Sequence, residues 1–148
     1  MKFHARRGSS LIEFILAAAF LAPVLVGAAQ YLEAYRCVAT LERATLRAAQ
    51  MAAALPYDAV GEAPSPEFRR TVVETVMTEA AAAGQTPPGF TREHVHVAMR
   101  FALDRPSEVQ VWIVGYRVAL PVDAPLDMNG TPRATAPFIG HWTKTAAP

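Results

Sequence analysis

The chain has 148 residues, enough for one small domain. Its net charge of +1 gives no reason to expect binding to nucleic acid or another polyanion. Cys37 is the one cysteine, so an intramolecular disulfide is excluded, and no CxxC or Cys/His zinc spacing is present. Hydrophobic residues make up 52% of the chain, and much of the excess lies within residues 14–31. The remainder has the composition of an ordinary globular domain.

The N-terminus combines a short basic region with a long apolar run. Lys2, Arg6 and Arg7 precede Gly8, and the 19 residues from 14 to 32 carry no charge. As a helix, this run is about 28 Å long, close to the roughly 30 Å hydrocarbon thickness of a bilayer. The pattern predicts a membrane-inserting segment whose N-terminus stays in the cytoplasm.

Two conventional interpretations account for part of this pattern. A signal peptide cleaved by signal peptidase I would use the small residues Gly27, Ala28 and Ala29, but a carboxylate, Glu13, would interrupt it before the apolar core. An ordinary membrane anchor explains the apolar run and leaves both Gly8 and Glu13 without a role.

A third interpretation uses every feature of the segment. The basic residues, Gly8, the run Ser9-Ser10-Leu11-Ile12-Glu13-Phe14 and the apolar helix follow one another in an order that resembles the class III signal of type IV pilins and pseudopilins. The resemblance implies that a prepilin peptidase cuts between Gly8 and Ser9 and methylates the new amine. It also implies that Glu13 pairs with the Ser9 amine of a neighbouring subunit, an attraction that low dielectric strengthens.

Two further features indicate the branch of that family. Small residues directly after the cut, followed by Glu13 and Phe14, are similar to the tight-adherence (Tad, or Flp) branch, and the alanine-rich stretch 35–54 resembles TadE-like minor pilins. The resemblance covers about residues 2–55. It implies a single-pass protein of the bacterial inner membrane that later joins a pilus on the cell surface. Its implied partners are the prepilin peptidase, the major Flp-type pilin, other minor pilins and an inner-membrane assembly platform.

Two alternatives to this assignment remain open. A minor pilin or pseudopilin of a type IV pilus or of a type II secretion system also fits the Ser-Leu-Ile-Glu sequence. A secreted or membrane-anchored binding domain with a conventional signal sequence is a rival from another class of protein.

The pattern predicts a leader over 1–8, a helix over 9–55 and a periplasmic domain over 56–148. The helix continues past the membrane because apolar and alanine residues recur at helical spacing, with Leu32 and Tyr35 on the expected packing face. Pro23 lies inside the apolar run and is expected to kink the helix.

The C-terminal region predicts a second helix and a small sheet. Residues 57–66 read as a loop, and Ser65 and Pro66 start a helix that should end at Gly84. Alternation predicts a strand over 94–103 with Leu103 on its apolar face, a turn at 104–107, a second strand over 108–120 that completes a hairpin, and a third strand over 135–144. A long helix followed by a second helix and an antiparallel sheet is an α+β, pilin-like fold.

No nucleophile elbow, P-loop or zinc-protease motif occurs, so we expect neither an enzyme nor a cofactor. His94 and His96 would share one strand face and His141 could supply a third ligand, but a solvated polar face is the preferred interpretation and no metal is expected. Cys37 is interpreted as a small buried hydrophobe, with an intersubunit disulfide as the alternative in an oxidising compartment.

Three aromatic residues of the C-terminal region stand out in the sequence. We interpret them as core or subunit-contact residues rather than as a ligand site, because large aromatic side chains most often serve packing. They are Trp112, Tyr116 and Trp142.

Overall fold

The computed structural model describes residues 5–60, 63–82, 84, 86–118, 126–127 and 132–145, with side chains described except at 5–9, 58–60, 126–127 and 144–145. A long helix and a second helix precede most of the strands, which is the α+β order predicted from the sequence. In chain order the elements are α1 (Ala5–Ala54), β1 (Tyr57–Val60), β2 (Ala63–Pro64), α2 (Pro66–Ala82), β3 (Val95–Ala102), β4 (Arg105–Ile113), β5 (Arg117–Val118), β6 (Leu126–Asp127), β7 (Arg133–Pro137) and β8 (Trp142–Thr145).

The strands form three small sheets. The main sheet is antiparallel, has the order β3-β4-β7 and packs against α1, with α2 against β3. A second sheet has the order β2-β1-β8, in which β8 runs parallel to β1, and β5 pairs with β6. The core therefore lies between the C-terminal half of α1, α2 and the inner face of the main sheet.

The C-terminal half of α1 buries one face made largely of alanine. Because alanine has a short side chain, this face lets α2 and the main sheet approach the helix closely. The one buried polar residue among them, Thr45, donates its hydroxyl hydrogen to the carbonyl oxygen of Leu41 at 2.9 Å. The buried residues of this face are Ala34, Leu41, Ala44, Thr45, Ala48, Ala49, Ala52 and Ala53.

Two residues predicted for the packing face of α1 lie elsewhere. Leu32 and Tyr35 are exposed, so that part of the prediction is wrong. The buried stripe runs through Ala34 and Leu41, and at 100° per residue Leu32 lies nearly opposite that stripe. The predicted helical period therefore holds for the buried residues from Leu41 to Ala52, and the error is confined to Leu32 and Tyr35.

Helix α2 begins and ends where the sequence predicts. The backbone N–H of Phe68 donates to the Ser65 hydroxyl oxygen at 3.3 Å, which is an N-cap hydrogen bond. At the other end Gly84 has φ +104°, and its N–H donates to the carbonyl oxygen of Ala81 at 3.1 Å. The buried residues of α2 are Phe68, Val72, Val73, Val76 and Ala80.

The hairpin of β3 and β4 turns earlier than predicted. Leu103 and Asp104 form the turn with φ of 52° and 59°, so the prediction of a turn at 104–107 is wrong. Two left-handed residues match the twist of a two-residue hairpin loop, and the chain reverses before Pro106. The placement of Leu103 on the buried face is also wrong, because its side chain is 98% exposed.

A bulge at Ser107 explains how a proline fits into β4. The register passes from Arg100 opposite Glu108 to Phe101 opposite Pro106, which leaves Ser107 as an extra residue. The Ser107 hydroxyl donates to the carbonyl oxygen of Arg100 at 3.1 Å. The irregular ladder tolerates Pro106, which has no N–H to donate.

Two further strand predictions and one loop prediction are wrong in part. The strand predicted over 108–120 ends at Ile113, because Gly115 adopts φ +72° and redirects the chain into β5. The loop predicted over 57–66 contains β1 and β2. The strand predicted over 135–144 is divided into β7 and β8.

The division between β7 and β8 follows from the close approach of the chain to the end of α1. A Cβ atom at Gly140 would collide with the carbonyl oxygen of Leu55 and would lie 2.9 Å from the Phe138 ring. Only glycine fits this position, and the chain passes α1 there before it pairs with β1.

The domain has two ends along α1, here called the proximal end and the distal end. The proximal end lies beside Cys37, where Tyr116 follows β4. At the distal end the N–H of Ile139 donates to the carbonyl oxygen of Ala53 and the N–H of Phe138 donates to that of Ser107, both at 2.9 Å. About 24 Å of helix axis separates the two ends.

Candidate assembly site

The N-terminal half of α1 extends beyond the domain as an uncovered apolar rod. Every side chain from residue 10 to 29 is exposed, and Phe20 is 83% exposed. Large apolar side chains lie on all sides of the rod, so it needs an apolar environment around it. Among the described residues this is the helix whose length and composition suffice to cross a membrane, a test that a signal sequence also passes.

The predicted processing site lies within the first turns of α1. The helical backbone begins at Ala5, so Gly8 and Ser9 are part of α1, and their side chains lie outside the described ones. A peptidase needs an extended backbone at the bond it cuts, so this turn would have to unwind. Gly8 favours unwinding, since glycine destabilises a helix by about 1 kcal/mol relative to alanine.

The predicted assembly residues lie at the start of the rod. Glu13 and Phe14 are both exposed. Ser9 and Glu13 are four residues apart and share one face of α1. Cleavage after Gly8 would place Glu13 near a new helix N-terminus, where the helix dipole favours a negative charge.

Pro23 lies in the middle of the exposed rod. The helix is continuous on both sides of it. Because proline has no N–H, the carbonyl oxygen of Ala19 loses its intrahelical hydrogen bond. In a membrane or a filament, water or a neighbouring helix has to satisfy this oxygen. The kink expected at Pro23 stays a prediction.

An apolar cleft of about 240 Å³ lies at the proximal end of the domain, here called the proximal cleft. Its walls include Ala34, Cys37 and Pro88, together with Tyr116 and Val118. The Tyr116 hydroxyl donates to the carbonyl oxygen of Pro88 at 3.1 Å, which fixes one wall. The Tyr116 ring is buried, as expected of a core or contact residue.

The thiol of Cys37 is half-buried at this cleft. Burial raises its pKa, and the nearby carboxylate of Glu33 raises it further. Both effects favour the protonated form of the thiol. This environment fits a small hydrophobe better than a reactive cysteine.

Burial raises the pKa of Tyr116 to about 12, and the Cys37 side chain adds to the shift. The folded state thus favours the neutral phenol, whose ordinary pKa is about 10. The stability that the neutral Tyr116 phenol contributes to the folded state is complete below pH ~10 and is lost as the pH rises towards about 12. Between these values, we expect the melting temperature of the wild-type protein to fall more steeply than that of Tyr116→Phe. Parallel pH profiles of the two proteins would contradict this.

The two histidines predicted to share a strand face do not share one. His94 lies in a 3-10 turn (Arg92–His94), where the Thr91 N–H donates to its Nδ1 atom at 3.0 Å. His96 lies on β3, with its ring stacked on Trp112 at 5.9 Å. Because the capped turn includes His94, the strand begins at Val95, one residue later than predicted.

The remaining candidate residues serve packing. In the part of the chain that the structure describes, no group of three or more His, Cys, Asp or Glu side chains is placed to hold a metal ion. The Arg133 guanidinium lies over the Trp112 ring, 5.4 Å from the centre of that ring. Trp142 packs against the core, and the carbonyl oxygen of His141 accepts a hydrogen bond from the Tyr57 N–H at 2.8 Å.

The candidate site therefore consists of the exposed rod with Glu13, joined to a domain with an apolar cleft at its proximal end. Large apolar side chains with one carboxylate at a defined position suit contacts with lipid and with other helices. No protein-family model, no curated protein and no solved structure matches this chain.

Proposed function

We propose that this chain is a minor pilin or pseudopilin, a structural subunit of a filament that starts in the bacterial inner membrane. A TadE-like subunit of the tight-adherence pilus is the assignment we favour. One observation carries the proposal: a single helix serves both as an uncovered apolar rod and as the central element of a folded domain, with Glu13 at the start of the rod.

The rod suits both environments that a pilin occupies. In the membrane, residues 14–32 match the hydrocarbon thickness. In a filament, neighbouring helices replace the lipid, and an apolar surface is compatible with either, since lipid tails are as apolar as leucine. The subunit can therefore move from membrane to filament without exposing the rod to water.

Glu13 supplies the position-specific part of assembly. A carboxylate in a membrane is costly, by roughly 2.5–3.5 kcal/mol at the centre of a spanning helix and less near the interface. Pairing with the Ser9 amine of another subunit would offset that cost and set the axial position of one helix against the next. Methylation would leave the charge of that amine in place.

The domain supports a minor subunit rather than the main one. By the resemblance, the major Flp-type pilin is little more than its helix, whereas in the described part of this chain α2 and eight short strands follow α1. The prepilin peptidase, the major pilin, other minor pilins and the inner-membrane assembly platform are the proposed partners. The same features suit a minor pilin or pseudopilin of a type IV pilus or type II secretion system.

A secreted domain with a conventional signal is the second candidate. Its support is that the buried face of α1 begins at Ala34. A cut near Gln30 would remove the rod and leave the core of the domain intact.

The intact mass of the mature protein separates these candidates. We expect a chain that begins at Ser9 and carries one added methyl group on its amine. Gly8→Leu should leave the precursor uncut, whereas the matched variant Gly27→Leu should be processed normally. A wild-type chain that begins near Gln30 would refute the pilin assignment, and an uncut chain would indicate an ordinary anchor.

A further inference from the structure

The turn between β3 and β4 holds an apolar side chain in solvent. Leu103 is 98% exposed and has φ +52°, a left-handed conformation that is costly for residues other than glycine and asparagine. Its side chain adds nothing to the core of its own domain. The hairpin turn accounts for the φ value. The exposed apolar side chain is available for a contact outside the domain. This turn, Leu103–Asp104, is called the knob below.

The proximal cleft matches the Leu103 side chain in size and polarity. Its volume of about 240 Å³ is several times that of a water molecule and leaves room for a leucine side chain. The side chains of Ala34, Val118 and the Tyr116 ring make its walls mainly apolar.

The charges next to the knob and the cleft are complementary. The knob carries the carboxylate of Asp104 and is followed by the guanidinium of Arg105, both exposed. The proximal end carries Glu33 and Arg36, also exposed, beside Cys37. When Leu103 enters the cleft, Asp104 can meet Arg36 while Arg105 meets Glu33.

The knob and the cleft lie at opposite ends of the domain. β4 runs from the knob past Ser107, level with Ala53, and ends at Ile113, after which the chain reaches Tyr116 beside Cys37. About 24 Å of helix axis separates these levels, so Leu103 cannot reach the cleft of its own chain. A contact between different surfaces of two identical copies is heterologous, and its repetition builds a row rather than a closed pair.

We propose that Leu103 of one copy of this chain docks into the proximal cleft of a second copy, flanked by the pairs Asp104–Arg36 and Arg105–Glu33. The copies then stack head to tail along the direction of α1. The filament setting of this contact rests on the proposed function, whereas the contact itself is tested separately.

The position of the cleft decides when the contact forms. Ala34 is two residues past the end of the apolar segment, so the cleft lies at the membrane surface while a subunit is inserted. It becomes accessible once that subunit has been lifted from the membrane. The knob of the next copy, still inserted below, points towards it. The contact therefore joins an extracted copy to an incoming one.

The single cysteine of the chain makes a direct test possible, because Cys37 lines the cleft. Leu103→Cys is introduced into the full-length protein, and cells or detergent-solubilised protein are treated with copper phenanthroline. We expect disulfide-linked dimers, trimers and higher species on non-reducing gels. Wild type, which has Cys37 alone, and L103C/C37S should each give at least tenfold less cross-linked product.

A matched position tests specificity. Ile139 is 77% exposed at the same distal end, so Ile139→Cys is also accessible to a second copy. It should cross-link to Cys37 at least fivefold less. Equal cross-linking from residue 139, or dimers in either single-cysteine protein at the level of L103C, would overturn the docking.

Leu103→Asn separates docking from folding. Asparagine tolerates the left-handed conformation, so the melting temperature should stay the same or rise. Co-purification of differently tagged full-length copies should fall at least fivefold. Undiminished co-purification would overturn the proposal.

If L103C enters the pilus fraction without a link to Cys37, the contact is wrong and the pilin assignment stands. Cross-linked rows outside any pilus fraction would support the contact and count against the assignment.

Discussion

Glu13→Ala is expected to leave the protein in the inner membrane and to remove it from the filament. The variant loses a carboxylate that is costly in lipid, so insertion should be at least as favourable as in the wild type. It also loses the predicted partner of the Ser9 amine in the next subunit. Because 1.4 kcal/mol corresponds to a factor of ten, loss of even a modest charge pair should reduce incorporation about tenfold or more.

The measurement is the amount of the protein in the sheared pilus fraction relative to the membrane fraction. Glu13→Gln keeps the shape of the side chain and removes its charge, so its incorporation into the filament should fall nearly as much as that of Glu13→Ala. Glu42→Ala is the matched control, since Glu42 is an exposed carboxylate of the same helix outside the apolar segment. Normal incorporation of Glu13→Ala into the filament would refute the assembly role of this residue.

Leu41→Ala is expected to destabilise the domain by about 2–5 kcal/mol, the range for removal of a buried leucine. Leu41 is 0% exposed and lies on the alanine face of α1. The neighbouring buried side chains Ala44 and Ala48 are too short to fill the space that it would leave. In a domain of about 100 residues, such a loss lowers the melting temperature by roughly 10 °C or more.

Leu46→Ala is the matched control on the same helix. Leu46 is 46% exposed, so its truncation should cost well under half as much as that of Leu41. Thermal unfolding of both variants in detergent, followed by near-UV circular dichroism, measures the difference. Similar melting temperatures for the two variants would show that the helix face assigned to the core is wrong.

The elements that sequence analysis predicted well are those specified by neighbours in the chain. Ser65 and Gly84 bound α2 because an N-cap hydroxyl and a left-handed C-terminal glycine act within one turn. The pairing of β3 with β4 was predicted because two alternating runs lie close together in sequence.

The incorrect predictions concern contacts between distant parts of the chain. β1 was expected to be a loop because its partner, β8, comes from the other end of the domain. Leu103 was placed on the buried face by alternation, but the turn begins one residue earlier than predicted and includes Leu103 itself. His94 was counted in the strand because its 3-10 turn is specified by a hydrogen bond to Thr91, which the alternation does not reveal.

The order of residues in the sequence located the candidate assembly site. The tertiary structure showed which parts of the domain lie around it. Gly8, Glu13 and the uncharged run are local features. The run by itself predicts insertion, and the resemblance of their order to a class III signal implies processing and pairing. Local order cannot specify which face of α1 the domain covers, because that depends on how the helix packs against α2 and the sheet. Only the folded domain places Leu103 and the cleft around Cys37 at opposite ends, since chain segments far apart in sequence build both ends.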